Sequence, residues 1–142
     1  MTTSEFATPD GTRQYVNRHP EKDQAGFFRS SDDRLLSSIG IGTYLGEAND
    51  EDDEAYYEAL ETALNNGVNL IDTAINYRYQ RSERTIGRLL SDLLDDELSR
   101  DEILVATKGG FIPFDGEEPE DPMDYIRETF VEPGLASPND FT

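Results

Sequence analysis

Between Leu35 and Val105 two apolar periods alternate along the chain, and this alternation narrows the fold more than any other feature. Ser38–Thr43, Val68–Ile71 and Ile103–Ala106 are short apolar runs of strand length. Between the first two runs, Ala55, Ala59, Leu60, Ala63 and Leu64 recur at spacings of three and four, which predicts one buried helical stripe. The acidic block Asn49–Glu54 precedes that stripe, where negative charge faces the positive end of a helix. Gly67, after Asn65-Asn66, is a helix stop. Between the second and third runs, Ser82 is a candidate N-cap. Ile86, Leu89, Leu90, Leu93, Leu94 and Leu98 form the next apolar face, and residues 95–100 read as a polar turn. Strand, helix, strand, helix, strand predicts right-handed crossovers and a parallel sheet of the α/β class. Parallel strands need cover on both faces. Three strands with two helices leave a face and both edges bare, so the unit is expected to belong to something larger.

The flanks are less regular. Phe27–Ser37, with the polar turn Ser30-Ser31-Asp32-Asp33, reads as a small hairpin. Residues 1–26 show no periodicity and read as a polar N-terminal arm. Residues 27–110 read as the folded part. Residues 111–142, acidic and proline-containing, read as an irregular tail with one or two helical turns over Tyr125–Val131.

Charge and composition remove whole classes of function. Acidic residues number 31 against 12 basic ones, a net charge of −19. Such a surface repels phosphate backbones and anionic lipid heads, so neither nucleic acid nor a membrane is an expected partner. No cysteine is present, which excludes disulfides and thiolate chemistry. The single histidine, His19, lies in the polar arm beside Pro20 and reads as solvated. The acidic blocks at 50–54 and 115–121 lack calcium-loop spacing and read as solvated surface, so no metal is expected. No apolar run approaches membrane-spanning length, and the N-terminus lacks a leader pattern, so the expected location is the cytoplasm. Hydrophobic residues make up only 35% of the chain, a value shared with disordered proteins, but their clustering predicts a folded middle with an acidic surface. Arginine is preferred to lysine, Lys22 and Lys108 being the only lysines. This looks like the composition of proteins from salt-loving cytoplasms, and stability is expected to rise with salt.

In parallel α/β folds, sites form at the carboxyl ends of strands. The second run ends in Asp72-Thr73-Ala74 and the third in Thr107-Lys108; Tyr77 follows in the loop after Asp72. If the two strands are neighbours, a carboxylate and an ammonium share one rim with a phenol in reach. An ammonium beside a phenol favours the phenolate, and an aspartate keeps the ammonium charged, which together make a general acid for a carbonyl oxygen. Taken singly, Asp72 reads more readily as a cap or loop residue and Tyr77 as packing, with Tyr79 close by. Lys108 is more informative, because a chain that nearly avoids lysine retains one at the end of a buried strand. Gly40-Ile41-Gly42-Thr43-Tyr44-Leu45-Gly46 is not the G-x-G-x-x-G spacing of a dinucleotide loop and does not open straight into a helix. Its glycines read as points of close backbone approach.

Taken together, Ile39-Gly40-Ile41-Gly42-Thr43, Asn66-Gly67-Val68-Asn69-Leu70-Ile71-Asp72-Thr73-Ala74, Tyr77, Ser82-Glu83, Ile86-Gly87 and Ala106-Thr107-Lys108 resemble the N-terminal part of the aldo/keto reductase family, over about residues 27–110. The resemblance implies a partial (β/α)8 TIM barrel, about the first three β/α units preceded by an N-terminal β-hairpin. It implies reduction of an aldehyde or ketone, a small-molecule carbonyl substrate, with NADPH or less often NADH. Asp72 and Lys108 would be the charge pair and Tyr77 the proton donor. Gly42, Thr43 and Tyr44 would line the nicotinamide region, which Asp72 also borders. The sequence departs from the family at Arg78, where many relatives have glycine. No strand bearing the family's active-site histidine follows Lys108, and the last strands that would hold the cofactor's phosphates and adenine are absent. A barrel needs roughly 250 residues. The expectation is a truncated reductase, inactive as 142 residues alone. The alternative is a non-catalytic remnant, or a piece that acts only by binding a complementary partner.

Overall fold

The structure, a computed structural model, describes residues 5–93 and 98–141. Leu94 of the expected apolar face and residues 95–97 of the expected turn lie outside the described residues.

Three short strands form one parallel sheet in the order β3-β4-β5, with β3 at Ile41–Gly42, β4 at Leu70–Asp72 and β5 at Leu104–Ala106. Ile41 pairs with Ile71 and Gly42 with Asp72; Ile71 pairs with Val105 and Asp72 with Ala106. Backbone and side chain crowd Gly40 just before β3, where a Cβ would sit 3.0 Å from the Leu70 side chain and 3.2 Å from its carbonyl oxygen. The reading of close backbone approach therefore holds for Gly40. It does not hold for Gly42, where a Cβ would meet nothing within 4 Å.

Helix α3, Asp50–Asn65, links β3 to β4, and helix α4, Arg81–Leu93, links β4 to β5. The Asn49 side chain caps α3 by accepting from the Asp52 amide at 2.8 Å, and four acidic residues fill its first turn. Gly67 ends the segment at φ +88°, a left-handed position that costs glycine little. Leu60 and Leu64 of α3 and Ile86, Leu89, Leu90 and Leu93 of α4 are buried with Ile71 and Ile103 in one core. The expected α3 stripe is only half covered, since Ala55 and Ala59 are exposed. Elsewhere on α3, Arg88 of α4 pairs with Glu54 at 2.8 Å and lies 4.5 Å over the Tyr57 ring.

β1, Phe28–Ser31, and β2, Arg34–Ser37, are antiparallel, joined by Asp32-Asp33 at φ +53° and +63°. Two successive positive φ values give the primed turn whose twist suits a hairpin. The hairpin is tied to the amino ends of the parallel strands through buried Asn69. Asn69 Oδ1 accepts from the Ser37 amide at 2.9 Å, and its Nδ2 donates to the carbonyls of Leu35 at 3.0 Å and Glu102 at 3.2 Å.

The arm differs from expectation, and the tail's expected helical turns begin earlier, at Pro122. Residues 9–17 form helix α1 (Pro9–Asn17) and residues 20–24 the short helix α2 (Pro20–Gln24). Tyr15 and Val16 are buried in the core, and the Tyr15 hydroxyl donates to the Leu64 carbonyl. Arg18 forms a two-pronged ion pair with Glu102, whose side chain is only 3% exposed. A Cβ on Gly11 would fall 2.3 Å from the Asp101 carbonyl oxygen, so α1 lies directly on the turn before β5. Hydropathy periodicity misses α1 because its buried face, Gly11, Thr12, Tyr15 and Val16, carries only two large apolar residues. His19 is half-buried with its ring 5.0 Å from that of Tyr15, not freely solvated. Burial, with Lys22 and Arg18 beside it, pushes its pKa down. In the tail, Asp121 caps helix α5 (Pro122–Ile126), which runs into a π turn over Arg127–Val131. Among the described residues, no helix is long and apolar enough to cross a membrane. Among them also, no group of three or more His, Asp or Glu side chains could hold a metal ion.

Candidate active site

β4 and β5 are parallel neighbours, so residues that leave their carboxyl ends emerge on one rim, opposite the hairpin. Asp72 is the last residue of β4, and Lys108 lies two residues beyond β5. Lys108 Nζ donates to Asp72 Oδ1 at 2.6 Å and to the Thr73 carbonyl at 2.9 Å. The loop after β4 folds back toward the lysine: the Ile75 amide donates to the Lys108 carbonyl at 3.1 Å and the Tyr77 amide to Ala74 at 3.0 Å. The Tyr77 hydroxyl thereby comes to 3.5 Å from Lys108 Nζ, the outer edge of hydrogen-bond range. The hydrogen bond that Lys108 donates to Asp72 holds its ammonium above the ordinary lysine range despite partial desolvation, and Tyr77 adds to the effect. Lys108 therefore stays charged at any physiological pH. Both members of the ion pair are half exposed, open to a ligand from the rim.

The three residues ending β3 occupy different places. Gly42 is exposed, with open space where a side chain would be. Tyr44 is 67% exposed, and its ring meets that of Tyr77 edge-on at 5.1 Å. Thr43 is buried beneath them. Its amide donates to the Asp72 carbonyl at 3.2 Å, its hydroxyl shares a 2.9 Å hydrogen bond with the Thr73 hydroxyl, and its carbonyl accepts from Ser82 Oγ at 2.7 Å. Thr43 thus fixes the spacing of β3, β4 and α4 and sends no free polar group to the rim.

Ser82 does not cap α4. That helix begins at Arg81, and Ser82 lies inside it, bonded to Thr43. Glu83 accepts from the Thr107 hydroxyl at the end of β5. The Ser-Glu pair therefore staples the first turn of α4 to the ends of two strands.

Thr73 and Arg78 escape sequence reasoning as parts of the site. Thr73 carries no sequence signal beyond its place after Asp72. Arg78 carries one: the resemblance noted above implies glycine at its position. Its φ is +49°, in the left-handed region that glycine favours. A cleft of about 430 Å³ opens between the loops after β3 and β4, lined by Tyr44, Glu47, Asn76, Arg78 and Tyr79 among others.

Residues 38–133 match the family model described as the aldo/keto reductase family. The pyridoxal reductase, chloroplastic, of Arabidopsis thaliana is 33% identical over 90 residues, covering 56% of this chain and 24% of that protein. The aldo-keto reductase YhdN of Bacillus subtilis (strain 168) is 33% identical over 75 residues, covering 51% of this chain and 22% of that protein. The chain thus spans about a quarter of the length of the curated relatives it matches. Since the family model covers most of the sequence, including every residue of the Asp72, Tyr77 and Lys108 rim, the chain belongs to the aldo/keto reductase family.

Proposed function

We propose that this chain supplies the proton-transfer side of an NAD(P)H-dependent carbonyl reductase, as the first three β/α units of a (β/α)8 barrel with the β1–β2 hairpin at its amino end. One observation carries the reading: Asp72, Lys108 and Tyr77 meet on one rim although 31 to 36 residues separate the lysine from its two partners. The reductase names of both relatives support the reaction class.

Carbonyl reduction adds a hydride to carbon and a proton to oxygen, and a bound nicotinamide supplies the hydride. The rim suits such a group. Gly42 leaves space beside Asp72, its pairing partner in the sheet, and exposed Tyr44 offers an aromatic face for stacking. Tyr77 holds the proton at Oη and passes it to the substrate oxygen as negative charge develops there. Lys108, kept cationic and fixed by Asp72, offsets the charge that the phenol acquires. On this reading the cofactor's phosphates and adenine would be held by later strands of the barrel.

In the assembled barrel, Tyr77→Phe is expected to lower turnover by about 10²–10⁴-fold, the usual worth of a positioned general acid, with cofactor affinity nearly unchanged. Retained turnover removes the role from Tyr77.

A second reading, a piece that acts only by binding a complementary partner, is favoured by apolar side chains left bare. Leu45 is 73% exposed and, with Ala55 and Ala59 of α3, lines an open groove. Titrating NADPH fluorescence with the 142-residue chain tests this second reading. Tight binding by this chain alone contradicts the second, and weak binding leaves it standing.

A further inference from the structure

Arg78, Tyr79 and Gln80 all have positive φ, +49°, +55° and +71°. Such residues other than glycine persist in a row only where surrounding bonds over-determine them. The turn lies immediately after Tyr77, and its bonds reach far from it. The Arg78 guanidinium, 1% exposed, donates from Nε to the Glu47 carbonyl at 2.9 Å. From Nη2 it donates to Asp53 Oδ1 at 2.6 Å and to the Asn49 carbonyl at 3.3 Å. Its plane lies 5.0 Å from the Tyr56 ring, and the Tyr56 hydroxyl in turn donates to the Leu45 carbonyl at 2.7 Å. One arginine therefore grips the loop that follows β3 at two carbonyls, next to a tyrosine that grips it at a third. That loop carries Tyr44, whose ring stands edge-on to Tyr77.

We propose that Arg78 is a positioning residue: it clamps the loop after β3 to the turn after Tyr77, sets the contact between the Tyr44 and Tyr77 rings, and so orients the Tyr77 phenol. The inference rests on the reading of Tyr77 as proton donor only for its catalytic consequence; the coupling of the loops stands on geometry alone. Arg81 cannot supply the same link, because its carboxylate partners Asp50 and Asp53 belong to α3 and not to the Tyr44 loop. Arg81 does keep Asp53 paired when Arg78 is replaced, so loss of the guanidinium does not strand a carboxylate.

Arg78→Gly separates backbone from side chain, since glycine takes φ +49° without strain but removes the clamp. With 13C-labelled tyrosine in the 142-residue chain, the expected result is an unchanged fold by circular dichroism and loss of the cross-relaxation between the Tyr44 and Tyr77 rings. Arg78→Lys keeps the charge and lacks the planar fork, so the same loss is expected. It is the deciding variant if Arg78→Gly does not fold. In the active barrel, either change is expected to lower kcat by up to about 10²-fold at constant cofactor KM, the effect of a misplaced catalytic group. A ring contact that persists in the folded variants overturns the proposal, as does an unchanged kcat. Full turnover in Tyr77→Phe overturns the proton-donor reading instead, and the ring contact still decides whether Arg78 couples the loops.

Discussion

Lys108 Nζ and Asp72 Oδ1 stand 2.6 Å apart across the β4–β5 pairing, and that bond is the main reason the lysine's pKa is raised. The sign of the linkage follows. A folded-state pKa above the ordinary 10.5 means that the pair's contribution is complete below that value and is lost as pH climbs through the folded one. Both side chains are half exposed, so solvent screens the pair and its weight in global stability is small. Asp72→Asn is expected to leave the melting temperature nearly unchanged while the Lys108 titration moves down in pH. With only Lys22 and Lys108 in the chain, side-chain NMR of labelled lysine resolves the shift directly. A Lys108 titration indifferent to the substitution removes Asp72 from its role as the lysine's anchor.

The Thr43–Thr73 hydroxyl bond, 2.9 Å long and fully buried, is expected to matter more for folding than the exposed ion pair above it. Thr43→Val keeps the shape and leaves the Thr73 hydroxyl without that partner in a dry site, at a cost of about 1–3 kcal/mol. Thr43→Val with Thr73→Val removes both polar groups, so the double variant is expected to regain much of what the single one loses. Urea denaturation of the four proteins gives the coupling directly. Additive losses mean that the two hydroxyls are satisfied separately.

Elements marked by periodic apolar residues are legible in the sequence, and elements docked by polar or steric contacts are not. α4 is legible because Ile86, Leu89, Leu90 and Leu93 all turn inward at helical spacing. The α3 stripe is half legible, since spacing shows which residues share a face but not whether a neighbour exists to cover Ala55 and Ala59. α1 is illegible because Gly11 against Asp101 and Arg18 against Glu102 leave no hydropathy pattern. At the candidate site the shared rim of Asp72 and Lys108 is legible, because a parallel pair sends the ends of both strands to one side. Ser82 is not legible, since its hydroxyl turns toward Thr43 and not toward the amides of its own helix. Nor is the placement of Arg78, since bonds to loop carbonyls depend on the fold and leave no mark in residue spacing.

The net charge of −19 and the Arg18–Glu102 pair, enclosed on its glutamate side, are expected to respond differently to salt. Repulsion among exposed carboxylates is long-ranged in dilute buffer and is confined to about 3 Å at 1 M ionic strength, so the melting temperature is expected to climb as salt is added. Arg18 and Glu102 gain nothing from that screening, because Glu102 is enclosed and the contact is direct. Glu102→Gln keeps the shape and weakens a charge-assisted hydrogen bond of a kind worth about 1.5–3 kcal/mol. Its deficit against the unsubstituted chain is therefore expected to persist from dilute buffer to molar salt while both proteins gain stability together. A melting temperature that stays flat or falls with salt contradicts the reading of the acidic surface. A Glu102→Gln deficit that vanishes in molar salt means that the pair is solvated and contributes little to holding α1 on the core.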